Sequence, residues 1–221
     1  MTLAARRPPT AAPSAIPSPA LAKARPLPKD FYAADTVSVA RALLGMIMVS
    51  DSPEGRVAGR IVETEAYLCD DAACHASRGP TPRNQAMFGP AGRSYTYLIY
   101  GMYRCFNVVT APEGVGEAVL IRALEPVEGL HLMARRRGTD AAKALCSGPG
   151  KLVIALGIGG LPNGSDLRKG SLRILAAPAD PAPGRRVPEG NITVTTRIGI
   201  TKDAHLPLRF YLAGNPFISR K

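Results

Sequence analysis

The sequence predicts an α+β fold: a single compact domain in which a mixed, mainly antiparallel, curved β-sheet is surrounded by helices. Three observations lead there. Short strand-like runs follow one another with turn residues between them, the pattern of hairpins. Only a few segments carry helical periodicity, and they flank the central strand-like runs. The chain has 221 residues, 46% of them hydrophobic, enough for one substantial core.

In chain order, residues 1–28 mix Pro, Ala and a few cations without apolar periodicity and read as a disordered basic extension, so the folded domain is expected over 29–221. Asp35 or Thr36 can cap a helix with Val37, Ala40, Leu43 and Leu44 on one face, and Gly45 can end it. Met46 to Val49 reads as a strand, the Ser52–Gly55 stretch as a turn, and Arg56 to Leu68 as a longer strand. Cys69 to Gly92 is polar, Pro- and Gly-rich and long for a connection, which marks it as a functional loop. Ser94 to Tyr100, Arg104 to Thr110 and Glu117 to Leu124 are strand-like. Pro126 suits the first position of a helix carrying Val127, Leu130 and Met133 on one face, Arg135 to Arg137 in its last turn and Gly138 beyond it. Leu152 to Leu156 forms a short apolar helix core, and Ser171 to Leu175, Ile192 to Ile198 and Leu208 to Leu212 read as late strands.

Charge narrows the partners. The chain carries 28 Lys and Arg against 17 acids, a formal net charge of +11. Arg6, Arg7, Lys23 and Arg25 lie in the acid-free extension, and removing those four leaves about +7 on the remainder. A field of that sign attracts phosphates. No uninterrupted apolar run is long enough to cross a bilayer and the N-terminus lacks a secretory signal pattern, so a cytoplasmic protein is expected, nucleoid-associated if bacterial. Cys69, Cys74, Cys105 and Cys146 are expected as reduced thiols; the Cys69/Cys74/His75 spacing lacks the second ligand pair of a zinc site.

Two stretches carry the chemistry. In Glu63-Thr64-Glu65-Ala66-Tyr67, strand alternation puts Ile61, Glu63, Glu65 and Tyr67 on one face. Paired carboxylates suit glycosidic bond cleavage, which needs a base to activate water. Glu63 alone reads more readily as a structural partner of Arg60 or Arg122. In the segment from Tyr95 to Tyr103, four of the seven tyrosines fall within nine residues. Alternation puts Tyr95 and Tyr97 on one face and Tyr100 on the other, at a Gly-containing turn, where an exposed ring suits a wedge into a base stack. Tyr95 reads as core.

These two stretches resemble the signature of the alkyladenine (3-methyladenine) DNA glycosylase family, which excises damaged purines from DNA, and the resemblance runs from Leu27 to Ser219. It implies that Glu65 is the general base and Arg122 the cation that helps position the attacking water. It implies a base pocket with Tyr67 and His75 on one wall, Tyr97 on the opposite wall, and Asn107 where its side chain rejects the 2-amino group of guanine. Tyr100 resembles the family's intercalating wedge, with Met102 and Tyr103 as flanking groove contacts. Arg83, in the segment beginning at Thr81, resembles a part lying near DNA, and Lys151 is a candidate anion contact. The implied activity is a monofunctional glycosylase acting as a monomer on double-stranded DNA with damaged purines (3-methyladenine, 7-methylguanine, hypoxanthine, ethenoadenine), with no membrane partner and neither metal nor organic cofactor. Two other readings of the same residues are a metal-dependent nuclease using Glu63, Glu65 and Asp70 or Asp71, and a non-enzymatic DNA-binding module whose tyrosines only stack.

Overall fold

The computed structural model describes residue 21 and residues 23–176 and 187–220. Two short helices, α1 (Lys29–Tyr32) and α2 (Thr36–Ala42), lead into the hairpin β1 (Ile47–Ser52) and β2 (Gly55–Tyr67). After a long loop holding a 3-10 turn (Gln85–Phe88) come β3 (Ser94–Ile99), β4 (Tyr103–Val109) and β5 (Ala118–Glu128). Helices α3 (Leu130–Arg137), α4 (Ala142–Leu145) and α5 (Pro149–Leu156) follow, then β6 (Leu172–Leu175), β7 (Ile192–Thr195) and β8 (Arg209–Leu212). The eight strands form one curled sheet ordered β3-β4-β5-β2-β1-β6, with β8 also on β2 and β7 on β8. Every pairing among the described strands is antiparallel, so the sheet expected to be mixed has no parallel pair among them; hairpin connections join neighbouring strands without a parallel crossover.

Local chemistry explains the boundaries. The Asp35 carboxylate accepts from the Ser38 amide at 2.8 Å, capping α2. At the far end of α3, Gly138 takes φ 66°, and the arginine triplet is absorbed by the fold: Arg135 and Arg136 pair with Glu54, and Arg137 Nε donates to the Leu145 carbonyl at 3.1 Å. The expected start of that helix was four residues early. Pro126 lies within β5, where the partners step from Ala58↔Glu128 to Gly59↔Pro126, and at such a bulge a missing backbone N–H costs little.

The expected extension also gives way to ordered chain before residue 29. Residues 1–20 and 22 lie outside the described residues, but Pro26 bridges Leu175, the Leu27 amide donates to Ile174 O at 3.0 Å, and the Leu27 side chain is buried in the main core. An apolar side chain with an open sheet edge beside it outweighed the Pro-rich composition.

The main core lies between one face of the sheet and helices α2, α3 and α5. The opposite face, at the β3, β4 and β5 end, holds a smaller cluster of Cys74, Ala76, Met87, Tyr95, Val109 and Ala118, and the 69–92 loop covers it. That loop comes close enough at Gly116 that an added Cβ would stand 2.4 Å from Ala76 Cβ, so only glycine fits.

Strand β2 serves both faces. Its partners in β5 step from Ile61↔Leu124 to Glu63↔Ala123 and then to Thr64↔Ile121, so the ladder is irregular at Val62 and opposite Arg122. Val57 and Ile61 join the same core as Ala66, which strict alternation forbids. The expectation that Ile61 shares a face with Glu63, Glu65 and Tyr67 is therefore corrected: the bulge resets the phase between Ile61 and Glu63.

Candidate active site

Past the bulge, Glu63 and Glu65 are both fully buried and both bind Arg122, which is itself 6% exposed. Arg122 Nη1 lies 3.1 Å from Glu65 Oε1, while its Nε donates to Glu63 Oε1 at 3.0 Å. Glu65 Oε1 also accepts from the Ile198 amide at 2.8 Å, and Oε2 accepts from the Tyr67 hydroxyl at 3.0 Å. Burial raises the Glu65 pKa above the ordinary carboxylate value, against the pull of Arg122, the Ile198 amide and Tyr67. Burial and the neighbouring Glu65 push the Tyr67 phenol up, which keeps it protonated and donating. Burial tunes the Glu65 carboxylate toward greater basicity, the property a water-activating base requires.

Beside this cluster is a cavity of about 350 Å³. Tyr67, His75, Tyr97, Tyr100 and Asn107 all line it. Glu65 and Arg122 stand just behind the lining, with Tyr67 as the link. The His75 ring meets Tyr97 edge-on at 4.4 Å between centroids, and its Nδ1 is 2.8 Å from the Tyr95 hydroxyl. His75 thus groups with Tyr97 instead of sharing a wall with Tyr67. The reason is local: the loop is tied down where Asn84 Nδ2 donates to the His75 carbonyl at 2.7 Å, over β3 and its tyrosines. Burial and Arg83 lower the His75 pKa, so the imidazole is neutral at pH 7. Tyr95 is core, as expected, with its hydroxyl satisfied by His75. Asn107 is buried, held by donation from Nδ2 to the Tyr95 carbonyl at 3.1 Å.

The β3–β4 hairpin projects from the cavity rim. Tyr100 has φ 52° and Gly101 φ 70°, and the Met102 amide donates to the Ile99 carbonyl at 3.3 Å, the pattern of a type I′ turn. Glycine at the second position fits that turn; tyrosine at the first is strained. Tyr100 is 83% exposed and Met102 69%, with Tyr103 and Leu98 also exposed, so four of the five exposed large apolar side chains among the described residues sit on this one hairpin. Arg83 lines the cavity and donates to Leu98 O at 3.3 Å, Thr81 is exposed three residues before Asn84, and Lys151 is exposed in the first turn of α5, where Gly150 abuts Tyr103.

Comparison with known proteins agrees with this geometry. The family model for methylpurine-DNA glycosylase matches residues 30–216. The chain belongs to that family. Similar proteins of Methanoculleus marisnigri (57% identical over 88% of this chain and 99% of the relative), Carboxydothermus hydrogenoformans (48%, over 88% and 99%) and Rubrobacter xylanophilus (51%, over 78% and 86%) carry the provisional name 3-methyladenine DNA glycosylase. Membership in the methylpurine-DNA glycosylases brings with it a glycosylase activity on DNA.

Several residues of this methylpurine-DNA glycosylase site escaped the sequence reading. Arg197 is buried with its guanidinium 4.7 Å from the Tyr67 ring centroid, ion-paired to Asp71 and donating to the Ala66 carbonyl at 3.0 Å. It backs Tyr67 from outside the cavity and ties the 69–92 loop to the 196–200 segment, whose Gly199 and Ile200 line the cavity. Among 28 Lys and Arg nothing in the sequence singles it out, and the Ile198 contribution is a backbone amide without any side-chain signature. The carboxylates of the metal-nuclease reading are committed elsewhere: Glu63 and Glu65 to arginines and amides, Asp71 to Arg197, while Asp70 is exposed. A divalent cation would have to displace guanidinium groups to use them.

Proposed function

We propose that this enzyme excises alkylated or deaminated purines (3-methyladenine, 7-methylguanine, hypoxanthine and ethenoadenine) from double-stranded DNA, acting as a monomer and leaving an intact abasic site. The observation that carries the reading is the juxtaposition of an aromatic cavity, a buried Glu65–Arg122 pair one hydrogen bond behind it, and a strained, exposed Tyr100 at its rim.

Phosphate attraction brings the basic protein to DNA, with Thr81, Arg83 and Lys151 as backbone contacts. Tyr100 enters the stack from the minor groove, flanked by Met102 and Tyr103, and the displaced nucleotide turns into the cavity. Tyr67, Tyr97 and His75 hold the base by stacking and edge contacts; a purine made cationic by alkylation gains from the tyrosine faces. The Asn107 amide rejects the 2-amino group of normal guanine. Glu65, its charged form favoured by Arg122 and the Ile198 amide, then takes a proton from a water whose oxygen bonds to the anomeric carbon as the C–N bond breaks and its electron pair leaves with the base. Among the described residues no lysine lines the cavity, so no amine is placed there to form a Schiff base and the strand stays intact.

Glu65→Gln tests the assignment. Base release from alkylated duplex falls by about 10²- to 10⁴-fold, while equilibrium binding to the same duplex stays within about twofold. Undiminished release removes Glu65 as the base.

A further inference from the structure

The second glutamate of the motif has surroundings that an ordinary structural ion pair does not need. Glu63 Oε1 accepts from Arg122 Nε at 3.0 Å, Arg209 Nε at 2.8 Å and Ser219 Oγ at 2.8 Å, and Oε2 accepts from the Ser219 amide at 2.5 Å. All four partners are donors, so both oxygens must accept; an amide at this position would set a donor against a donor. The arginines come from two strands that flank β2 on opposite edges, β5 and β8, and Ser219 comes from the segment after β8. Arg122 is held at both ends, Nε by Glu63 and Nη1 by Glu65.

We propose that Glu63 is a positioning residue for base excision: a buried counter-charge, anchored by Ser219, that divides Arg122 with Glu65 and so sets how firmly the guanidinium holds the Glu65 carboxylate. This inference rests on the glycosylase reading of the site. Two carboxylates (Glu63 and Glu65) and two guanidinium groups (Arg122 and Arg209) make the cluster neutral. The other groups facing Glu65 are Tyr67 on its own strand, Tyr97 on β3, Cys105 on β4 and Arg197. Burial holds the Tyr97 phenol and the Cys105 thiol above their usual pKa values, so both are neutral at working pH, and Arg197 is offset by Asp71. Burial disfavours charge on Glu65 and Arg122 is the largest influence opposing it, so a variant that leaves the burial unchanged acts on Glu65 through how Arg122 is shared.

That sharing has a signed consequence. In Glu63→Gln the cluster gains one net positive charge and Glu65 becomes the only carboxylate left for Arg122, so ionised Glu65 is favoured. In Arg209→Gln two carboxylates share one guanidinium, and ionised Glu65 is disfavoured. The experiment is a pair of readouts on each variant: the acidic limb of the single-turnover pH–rate profile for hypoxanthine release, and the titration of the Glu65 carboxyl followed by ¹³C NMR, assigned with Glu65→Gln. Both readouts move down by about 1 pH unit in Glu63→Gln and up by about 1 in Arg209→Gln. A role confined to holding the fold lowers the melting temperature and leaves both in place. Unmoved or same-direction shifts in folded variants overturn the proposal. If Glu63→Gln does not fold, Arg209→Gln with Ser219→Ala carries the same test, since loosening Glu63 from Ser219 strengthens its claim on Arg122 and also moves Glu65 up. Absence of base release by the unmodified enzyme strikes the glycosylase reading alone, because the NMR titration needs no turnover.

Discussion

Replacing Tyr100 by glycine and, separately, by alanine pulls apart the two properties that meet at the hairpin tip. At φ 52° the tyrosine backbone is in the left-handed region, which costs a residue with a Cβ about 1–2 kcal/mol. Glycine escapes that cost but loses about 0.5–1 kcal/mol through the greater freedom of the unfolded chain. Alanine keeps the strain. The side chain is 83% exposed, so truncation gives up only the buried sixth of its surface, at most about 1 kcal/mol, and equally in both variants. Glycine is thus expected to be more stable than alanine by about 0.5–1 kcal/mol, or about 1–4 °C in melting temperature for a domain of this size. Both variants lose the ring that replaces a flipped base in the stack. Since unstacking costs a few kcal/mol and 1.4 kcal/mol is tenfold in rate, single-turnover excision falls by about 10- to 100-fold in each. Thermal unfolding followed by circular dichroism and single-turnover release from a hypoxanthine duplex measure the two effects. Equal stability of the variants refutes the strain, and excision at the unmodified rate in either refutes the wedge.

Arg197→Met leaves the Asp71 carboxylate buried without its partner, and loss of such a pair costs about 3–5 kcal/mol. A melting temperature lower by about 10 °C is expected, with part of it restored in the Arg197→Met, Asp71→Asn double variant; a change below about 2 °C in the single variant refutes the clamp. Arg83→Ala and Lys151→Ala each remove one phosphate contact, so the slope of log K against log salt for undamaged duplex becomes shallower by about 1. Unchanged slopes in fluorescence-anisotropy titrations take both residues off the DNA path.

Much of this architecture is written in local chemistry. The Asp35 cap, the Gly138 stop and the Tyr100-Gly101 turn were legible because each is a short-range rule acting on its own neighbours. The same rules failed where a partner strand intervened. Pro126 looked like a helix start because nothing in its own neighbourhood reveals that β2 passes alongside with a bulge to accommodate it. For the candidate site, motif resemblance singles out Glu65, Tyr67, Tyr97 and Asn107, and the tertiary fold brings the last three around one cavity with the Glu65 carboxylate behind it. The grouping of His75 with Tyr97 depends on how Asn84 anchors a long loop, and the Arg197 and Ser219 contacts span 126 and 156 residues. Contacts at that separation leave no periodicity to read.

The irregularity at Val62 makes β2 behave like a text with a deliberate frameshift. Upstream of it, odd-numbered residues are read into hydrocarbon; downstream, odd-numbered residues are read into the polar centre. Side chains along the strand can be exchanged one at a time, but as long as Val62 is present the irregularity has to stay with it. A regular ladder through the same residues would put both glutamates on the face of Val57 and Ile61, in the apolar core, where ions without partners cannot remain charged. The phase of this strand is thus under tighter constraint than its composition.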